Sequence, residues 1–176
     1  IDERVEAPIY IPRAPFETPG QRVLKTFADH YISAGYGGVE DPRITKIEDR
    51  FYMTYVAFDG ANPPRVALTS ISVKDFLEKK WDKWETPKLI SSPGMVNKNA
   101  VILPEKINGK YVVFHRIYPN VLVDYVDDLN FQDNTYLQGH YFIPPRRNNW
   151  DSKKIGAGAP PMKTKDGWLF IYQSVG

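Results

Sequence analysis

Ala100-Val-Ile-Leu-Pro-Glu-Lys-Ile-Asn108-Gly109-Lys-Tyr111-Val-Val-Phe-His115-Arg116 reads as a strand, a tight turn and a returning strand. Asn-Gly is the strongest short hairpin signal, because both central residues of a type I′ turn need positive φ. Upstream, Ile44-Thr-Lys-Ile-Glu-Asp-Arg-Phe-Tyr52-Met-Thr-Tyr-Val-Ala-Phe58 has the same form. Downstream, Pro161-Met-Lys-Thr-Lys-Asp166-Gly167-Trp168-Leu-Phe-Ile-Tyr172 repeats it, with Asp-Gly at the turn. Tyr52, Tyr111 and Trp168 take the same place in the three copies, 59 and then 57 residues apart. A further strand follows the first two copies, over residues 65–73 and 121–126. Successive antiparallel hairpins repeating at this length are the pattern of propeller blades. A sandwich also has short strands, but nothing in it requires an aromatic position to recur at a near-constant interval.

Three such units do not close a ring, which takes about four blades or more. The 176 residues therefore read as a single, partial all-β propeller domain over residues 1–176. The remaining blades lie outside the chain or come from a second chain, so a homo-oligomer stays open. The chain begins Ile1-Asp2 rather than with Met, so a leader or a whole N-terminal region can precede it.

Composition bounds the function. Aromatic residues make up 14% and prolines number 15, which suits short strands joined by structured loops. The net charge of +2, from 23 basic and 21 acidic residues, is too balanced for a nucleic-acid binder. No run reaches the roughly 18 apolar residues of a membrane span, so neither nucleic acid nor membrane is an expected partner. There is no cysteine, which excludes disulfides and thiol chemistry and suits a cytoplasmic location.

One helix is expected where Val73, Phe76, Leu77, Trp81 and Trp84 fall near a 3.6 period, after Ser72 as cap with Asp75 three residues on. The same stretch also reads as an irregular loop pinned by Trp81 and Trp84. Residues 1–34, with Pro8, Pro12, Pro15 and Pro19, read as an extended leading segment.

Several chemistries are excluded directly. His30, His115 and His140 lack the close ligand spacing of a zinc site. The glycine-rich run from Gly156 to Gly158 is followed by prolines and a strand rather than a helix, unlike a dinucleotide loop. No Gly-x-Ser-x-Gly elbow occurs. What remains are polar clusters at the start of each unit: Glu40-Asp41-Pro42-Arg43 after a glycine-rich turn, Asn97-Lys98-Asn99, and Trp150-Asp151 running into Lys154. Glycines before Asp41 permit positive φ and close approach to a ligand. Pro42 biases Asp41 toward an extended backbone. Equivalent stations of successive blades face one end of a propeller, so Glu40, Asp41, Arg43, Lys98, Asn99 and Lys154 are expected to converge. Taken alone, Glu-Asp-Pro-Arg reads better as a turn with a local ion pair.

Gly38-Val-Glu-Asp-Pro-Arg-Ile44, Lys98-Asn-Ala with Pro104-Glu-Lys-Ile-Asn-Gly-Lys-Tyr111 and His115-Arg116, and Gly156-Ala-Gly-Ala-Pro-Pro161 with Gly167-Trp168-Leu169 resemble glycoside hydrolase family 130. That family comprises β-mannoside phosphorylases and related β-mannosidases on a five-bladed β-propeller. The resemblance implies that Asp41 is the general acid and protonates the leaving oxygen through a mannose hydroxyl. Phosphate then attacks the anomeric carbon with inversion, yielding α-mannose 1-phosphate and a shortened acceptor. By motif, Lys98, Arg116 and Lys154 fall on the family's phosphate-holding positions, and Gln173 stands where many of its phosphorylases have His. Glu40, Arg43 and Asn99 are implied substrate contacts. The partners expected are a β-mannoside oligosaccharide and inorganic phosphate as co-substrate, with no further cofactor and no metal. Phosphate arrives as an anion, so no second carboxylate need activate it, unlike water in an inverting hydrolase. The alternatives are hydrolysis, with Glu40 or Glu105 as base, and a binding module whose Tyr36, Tyr136, Tyr141 and Trp150 stack on sugars without turnover.

Overall fold

The computed structural model describes residues 4–19, 37–132 and 134–176. The first unit is a four-stranded antiparallel meander of β1 (Gly38–Ile47), β2 (Arg50–Phe58), β3 (Arg65–Ser72) and β4 (Lys88–Leu89). The second repeats it with β5 (Lys98–Ile102), β6 (Tyr111–Ile117), β7 (Asn120–Val126) and β8 (Tyr141–Ile143). In the third, β9 (Lys154–Ala157) pairs with β12 (Tyr172–Val175), and β10 (Met162–Thr164) pairs with β11 (Gly167–Leu169). The Gly158 amide donates to Ile171 O at 3.0 Å between the two pairs, so this unit is one long interrupted hairpin. Two complete blades and the hairpin of a third make up part of a propeller.

Turn chemistry sets these hairpins. Asn108 and Gly109 have φ of +51° and +80°, the two positive angles a type I′ turn requires. In the third unit Thr164 pairs with Gly167, so Lys165 and Asp166 form the loop and Gly167, at φ +129°, leaves it. The aromatic repeat is offset accordingly. Tyr52 stands at the third pair from its turn and Trp168 at the second, so the recurring position tolerates a shift of one residue.

Side chains alternate between faces at the strand period of two. From the first blade, Ile47, Val66 and Leu68 face Ala100, Ile102 and Val113 of the second, forming the core between the two blades. Met53, Tyr55, Ala57, Ala67 and Ile71 point the other way and pack with Trp84. Leu103, Val112 and Val123 meet Phe114 and Trp168, joining the second blade to the third unit. Two buried threonines lock inner strands together: Thr54 Oγ donates to Ala100 O at 2.6 Å and Thr45 Oγ to Ile102 O at 3.0 Å.

The helical expectation is met for one turn only. α1 (Val73–Leu77) is capped by Ser72 Oγ, which accepts from the Asp75 amide at 3.0 Å. Lys79 then takes φ +59°, and a 3₁₀ turn at Trp81–Lys83 carries the chain to Trp84. Both readings of this stretch thus apply to part of it.

The leading segment, where described, lies along the first blade. Glu17 is fully buried there and accepts from the Tyr10 and Tyr55 hydroxyls and from the Arg13 and Ala14 amides. Arg13 donates to Trp84 O at 2.9 Å and Trp81 O at 2.6 Å, and the Trp84 indole donates to Ile9 O. Burial together with the Glu17 carboxylate pushes both tyrosine hydroxyls above their ordinary range. Among the described residues no helix is long and apolar enough to cross a membrane.

Candidate active site

β1, β5 and β9 are the first strands of their units, and the polar clusters sit where those strands begin. A bulge shapes two of these starts. On β1, Glu40 pairs with Val56 and Arg43 with Thr54, so the chain carries one extra residue there. On β5, Lys98 pairs with Arg116 and Val101 with Phe114, with the same extra residue. Asp41 (φ +50°) and Asn99 (φ +54°) occupy the bulges in the left-handed region, which Asp and Asn tolerate better than most side chains. This corrects the extended backbone expected for Asp41 from Pro42. The bulge needs a left-handed residue, and its ladder bonds outweigh the local bias of a following proline.

The expected convergence of these stations is present. Arg116 lies in register with Lys98, whose Nζ approaches Glu40 Oε2 at 4.0 Å. Burial lowers the Lys98 ammonium pKa; Arg116 and Lys154 lower it further, while Glu40 and Asp41 oppose. Burial likewise lowers Arg116, with Arg43 adding to the effect and Asp41 opposing it. Lys154 begins β9, and two residues on, a Cβ placed on Gly156 would lie 2.9 Å from Asn99 Oδ1 and 3.3 Å from Arg116 Nη1. Four cations (Arg43, Lys98, Arg116, Lys154) thus share one electrostatic neighbourhood with two carboxylates (Glu40, Asp41). Such a partly desolvated cationic cradle favours a bound anion. Asp41 is exposed beside it, open to a ligand.

Arg43 also has a structural task. Its Nε donates to Gly158 O at 2.7 Å, Nη2 to Ala157 O at 3.2 Å and Nη1 to Asp41 O at 2.8 Å. It ties the start of the first unit to the inner strand of the third and fixes the peptide of Asp41. Asn99 is 2% exposed, and its Oδ1 is buried without a hydrogen-bond partner. A buried acceptor without a donor is rare enough to mark the position.

Gln173 is exposed on β12, directly opposite Gly156 and so beside the cradle. Other candidates lie elsewhere. Glu105 follows the far end of β5 and pairs with Lys163 at the surface, so of the two candidate bases only Glu40 is in the cluster. Tyr141 is on β8, the outermost strand of its blade, edge-on to Tyr125. Tyr136 lies under Arg65 in the loop before β8. Trp150 stacks on Tyr172 in the loop preceding β9. Tyr36 and His30 fall outside the described residues, and among those described no group of His, Cys, Asp and Glu is disposed to hold a metal. The carbonyls of Ala157 and Gly158, and the buried partners of His115, were not visible in the sequence. Both are contacts between strands distant along the chain, and no local signal marks them.

Comparison with known proteins bears on this arrangement. Residues 21–176 match the family described as β-1,4-mannooligosaccharide phosphorylase, glycoside hydrolase family 130. A 1,2-β-oligomannan phosphorylase of Thermoanaerobacter is 38% identical over 138 residues, covering 78% of this chain and 43% of the relative. A β-1,4-mannooligosaccharide phosphorylase of Ruminococcus albus is 36% identical over 143 residues, covering 80% of this chain and 39% of the relative. The chain therefore spans about two-fifths of the length of these relatives. The β-1,2-mannobiose phosphorylase of Listeria innocua, solved with β-1,2-mannobiose, superposes with a TM-score of 0.70 at 25% identity over 98% of this chain and 41% of its own. The blades described above are accordingly part of a five-bladed β-propeller, and the chain belongs to glycoside hydrolase family 130.

Proposed function

We propose that this chain carries the proton donor and the anion cradle of an inverting β-mannoside phosphorylase. The observation supporting this is the gathering of Arg116, Lys154 and Asp41 around the Lys98 ammonium, which Glu40 also faces. A phosphate oxygen attacks the anomeric carbon as the bond to the glycosidic oxygen breaks. Asp41 supplies the proton to that leaving oxygen, directly or through a mannose hydroxyl. The products are α-mannose 1-phosphate and an acceptor one sugar shorter. The cations hold the nucleophile against its own charge and the charge developing at the transition state. The orphaned Asn99 Oδ1 takes a hydroxyl from the sugar or from protonated phosphate. Relatives are named for β-1,2 and β-1,4 mannosides alike, so we assign the substrate as a β-mannoside without fixing its linkage. A charged sugar phosphate does not cross a membrane unaided and so stays where it is formed, and we place the reaction in the cytoplasm.

Hydrolysis by water is the second reading. The solved relatives include one described under mannoside phosphorylases whose family contains glycoside hydrolases acting on β-1,2 mannosidic linkages. Here Gln173 brings no charge where many phosphorylases of the family have His, and Glu40 is the carboxylate in place to serve as base.

The test is incubation with β-1,2- and β-1,4-mannooligosaccharides, with and without inorganic phosphate. Phosphate-dependent mannose 1-phosphate supports phosphorolysis. Free mannose released equally without phosphate would establish hydrolysis instead.

A further inference from the structure

Beneath the Lys98–Arg116 pair lies a buried imidazole that the reaction above does not use. His115 is fully buried on β6, one residue before Arg116. Its Nδ1 is 2.8 Å from Nδ2 and 3.1 Å from Oδ1 of Asn97, the residue before Lys98, and Asn97 is itself 3% exposed. Its Nε2 is 2.8 Å from Asp124 Oδ2 on β7. Asp124 is also fully buried and accepts from the Gly139 amide at 2.9 Å and from His140 Nδ1 at 2.7 Å. Gly139 permits this turn through φ +72°, and a Cβ there would strike Leu122 at 2.8 Å.

Asp124 as a carboxylate only accepts, so Nε2 of His115 carries hydrogen. Nδ1 faces the Asn97 side-chain amide, whose nitrogen can donate to it and whose oxygen can accept from it. Both ring nitrogens are thus engaged, and the ring orientation is fixed. The Asn97 backbone is held in addition, its N–H donating to Pro64 O at 3.0 Å. The start of β5 is thereby fastened to β6 one residue away from both cations of the ladder pair.

We propose that His115 is a positioning residue for Lys98 and Arg116. It clamps Asn97 to β6 so that the two cations keep the separation a single anion requires. This rests on the phosphorylase reading for its consequence in turnover, but not for the clamp itself. A displacement of about 1 Å in a binding group can cost up to a hundredfold in rate, so loosening the clamp acts on phosphate use with little effect on the mannoside.

The experiment compares the wild-type chain with His115→Gln and Asn97→Ala. Asn97→Ala removes one side of the clamp and leaves His115 on Asp124, which keeps the test informative where His115→Gln folds poorly. Nitrogen-15 NMR should show His115 protonated at Nε2 and hydrogen-bonded at both ring nitrogens. In Asn97→Ala the Arg116 Nε–H resonance should shift while that of Arg13, on the leading segment, stays. Phosphate KM should rise about tenfold or more, with the mannoside KM unchanged. An unmoved Arg116 resonance, or lowered thermal stability with unaltered phosphate KM, overturns the proposal. Absence of phosphate turnover in the wild type would instead sink the phosphorylase reading, and the NMR comparison would still decide the clamp.

Discussion

Asp41 and Asn99 hold the same station on successive inner strands, one residue into matching bulges, with φ of +50° and +54°. The blades repeat the backbone device and vary the side chain it presents. At the first station a carboxyl group is exposed, and at the second a neutral amide is buried with its oxygen unpartnered. The bulge is what turns each group away from the alternation of its strand.

Asp41→Asn separates these roles. Asparagine tolerates the left-handed backbone at least as well as aspartate, so the variant should unfold within a few degrees of wild type. An amide cannot protonate the leaving oxygen, and removing a general acid costs about 10²–10⁴ in rate. Mannose 1-phosphate release should fall by that factor. Undiminished turnover in a folded Asp41→Asn protein would remove the assignment.

Gly156→Ala tests the cradle from its floor. Gly156 does not need a positive φ, and what forbids a side chain is Asn99 Oδ1 at 2.9 Å and Arg116 at 3.3 Å. The methyl group must push one of them aside, and both belong to the polar cluster around Lys98. Phosphate KM should rise by about tenfold or more, read from initial rates at varied phosphate, while the circular dichroism spectrum stays that of wild type.

The hairpins were legible because their cause is local: Asn108-Gly109 states the φ angles of its own turn. The convergence of Lys98, Arg116 and Lys154 needed the repeat, which places equivalent stations at one end, together with the motifs around them. Asp41 shows where local reasoning fails, since the bias imposed by Pro42 is real but smaller than what the bulge demands. The tasks of Arg43 and His115 were not legible. Their partners, Gly158 and Asp124, are reached across strands, and nothing beside Arg43 or His115 in the chain announces them.

Lys98 should trade stability for function. Burial lowers its pKa, so the folded protein holds that proton less tightly than the unfolded chain does. Lys98 therefore costs stability at pH 7, and the cost diminishes only as pH rises through the lowered value. Lys98→Met keeps the aliphatic stem and removes the buried charge. It should raise the melting temperature by a few degrees, equivalent to about 1 kcal/mol, and abolish saturation by phosphate. Calorimetry at pH 7 checks the first and phosphorolysis kinetics the second; a destabilised Lys98→Met protein would contradict the account of the site.

Asp124 carries the opposite sign. Burial alone would raise its carboxyl, yet hydrogen bonds from His115, Gly139 and His140 more than offset this and bring it from 3.8 down to about 2. The side chain is 1% exposed, so solvent screens these bonds little. A carboxylate held below its unfolded value stabilises the fold fully above about pH 4, and the contribution is lost as pH falls through about 2. The difference of nearly two pH units is worth about 2 kcal/mol. Asp124→Asn should therefore be less stable than wild type at pH 7, and the gap between the two should narrow steadily from pH 4 to pH 2. Urea unfolding across that range measures it. A gap independent of pH would mean that Asp124 acts through shape and neutral hydrogen bonding, not through its charge.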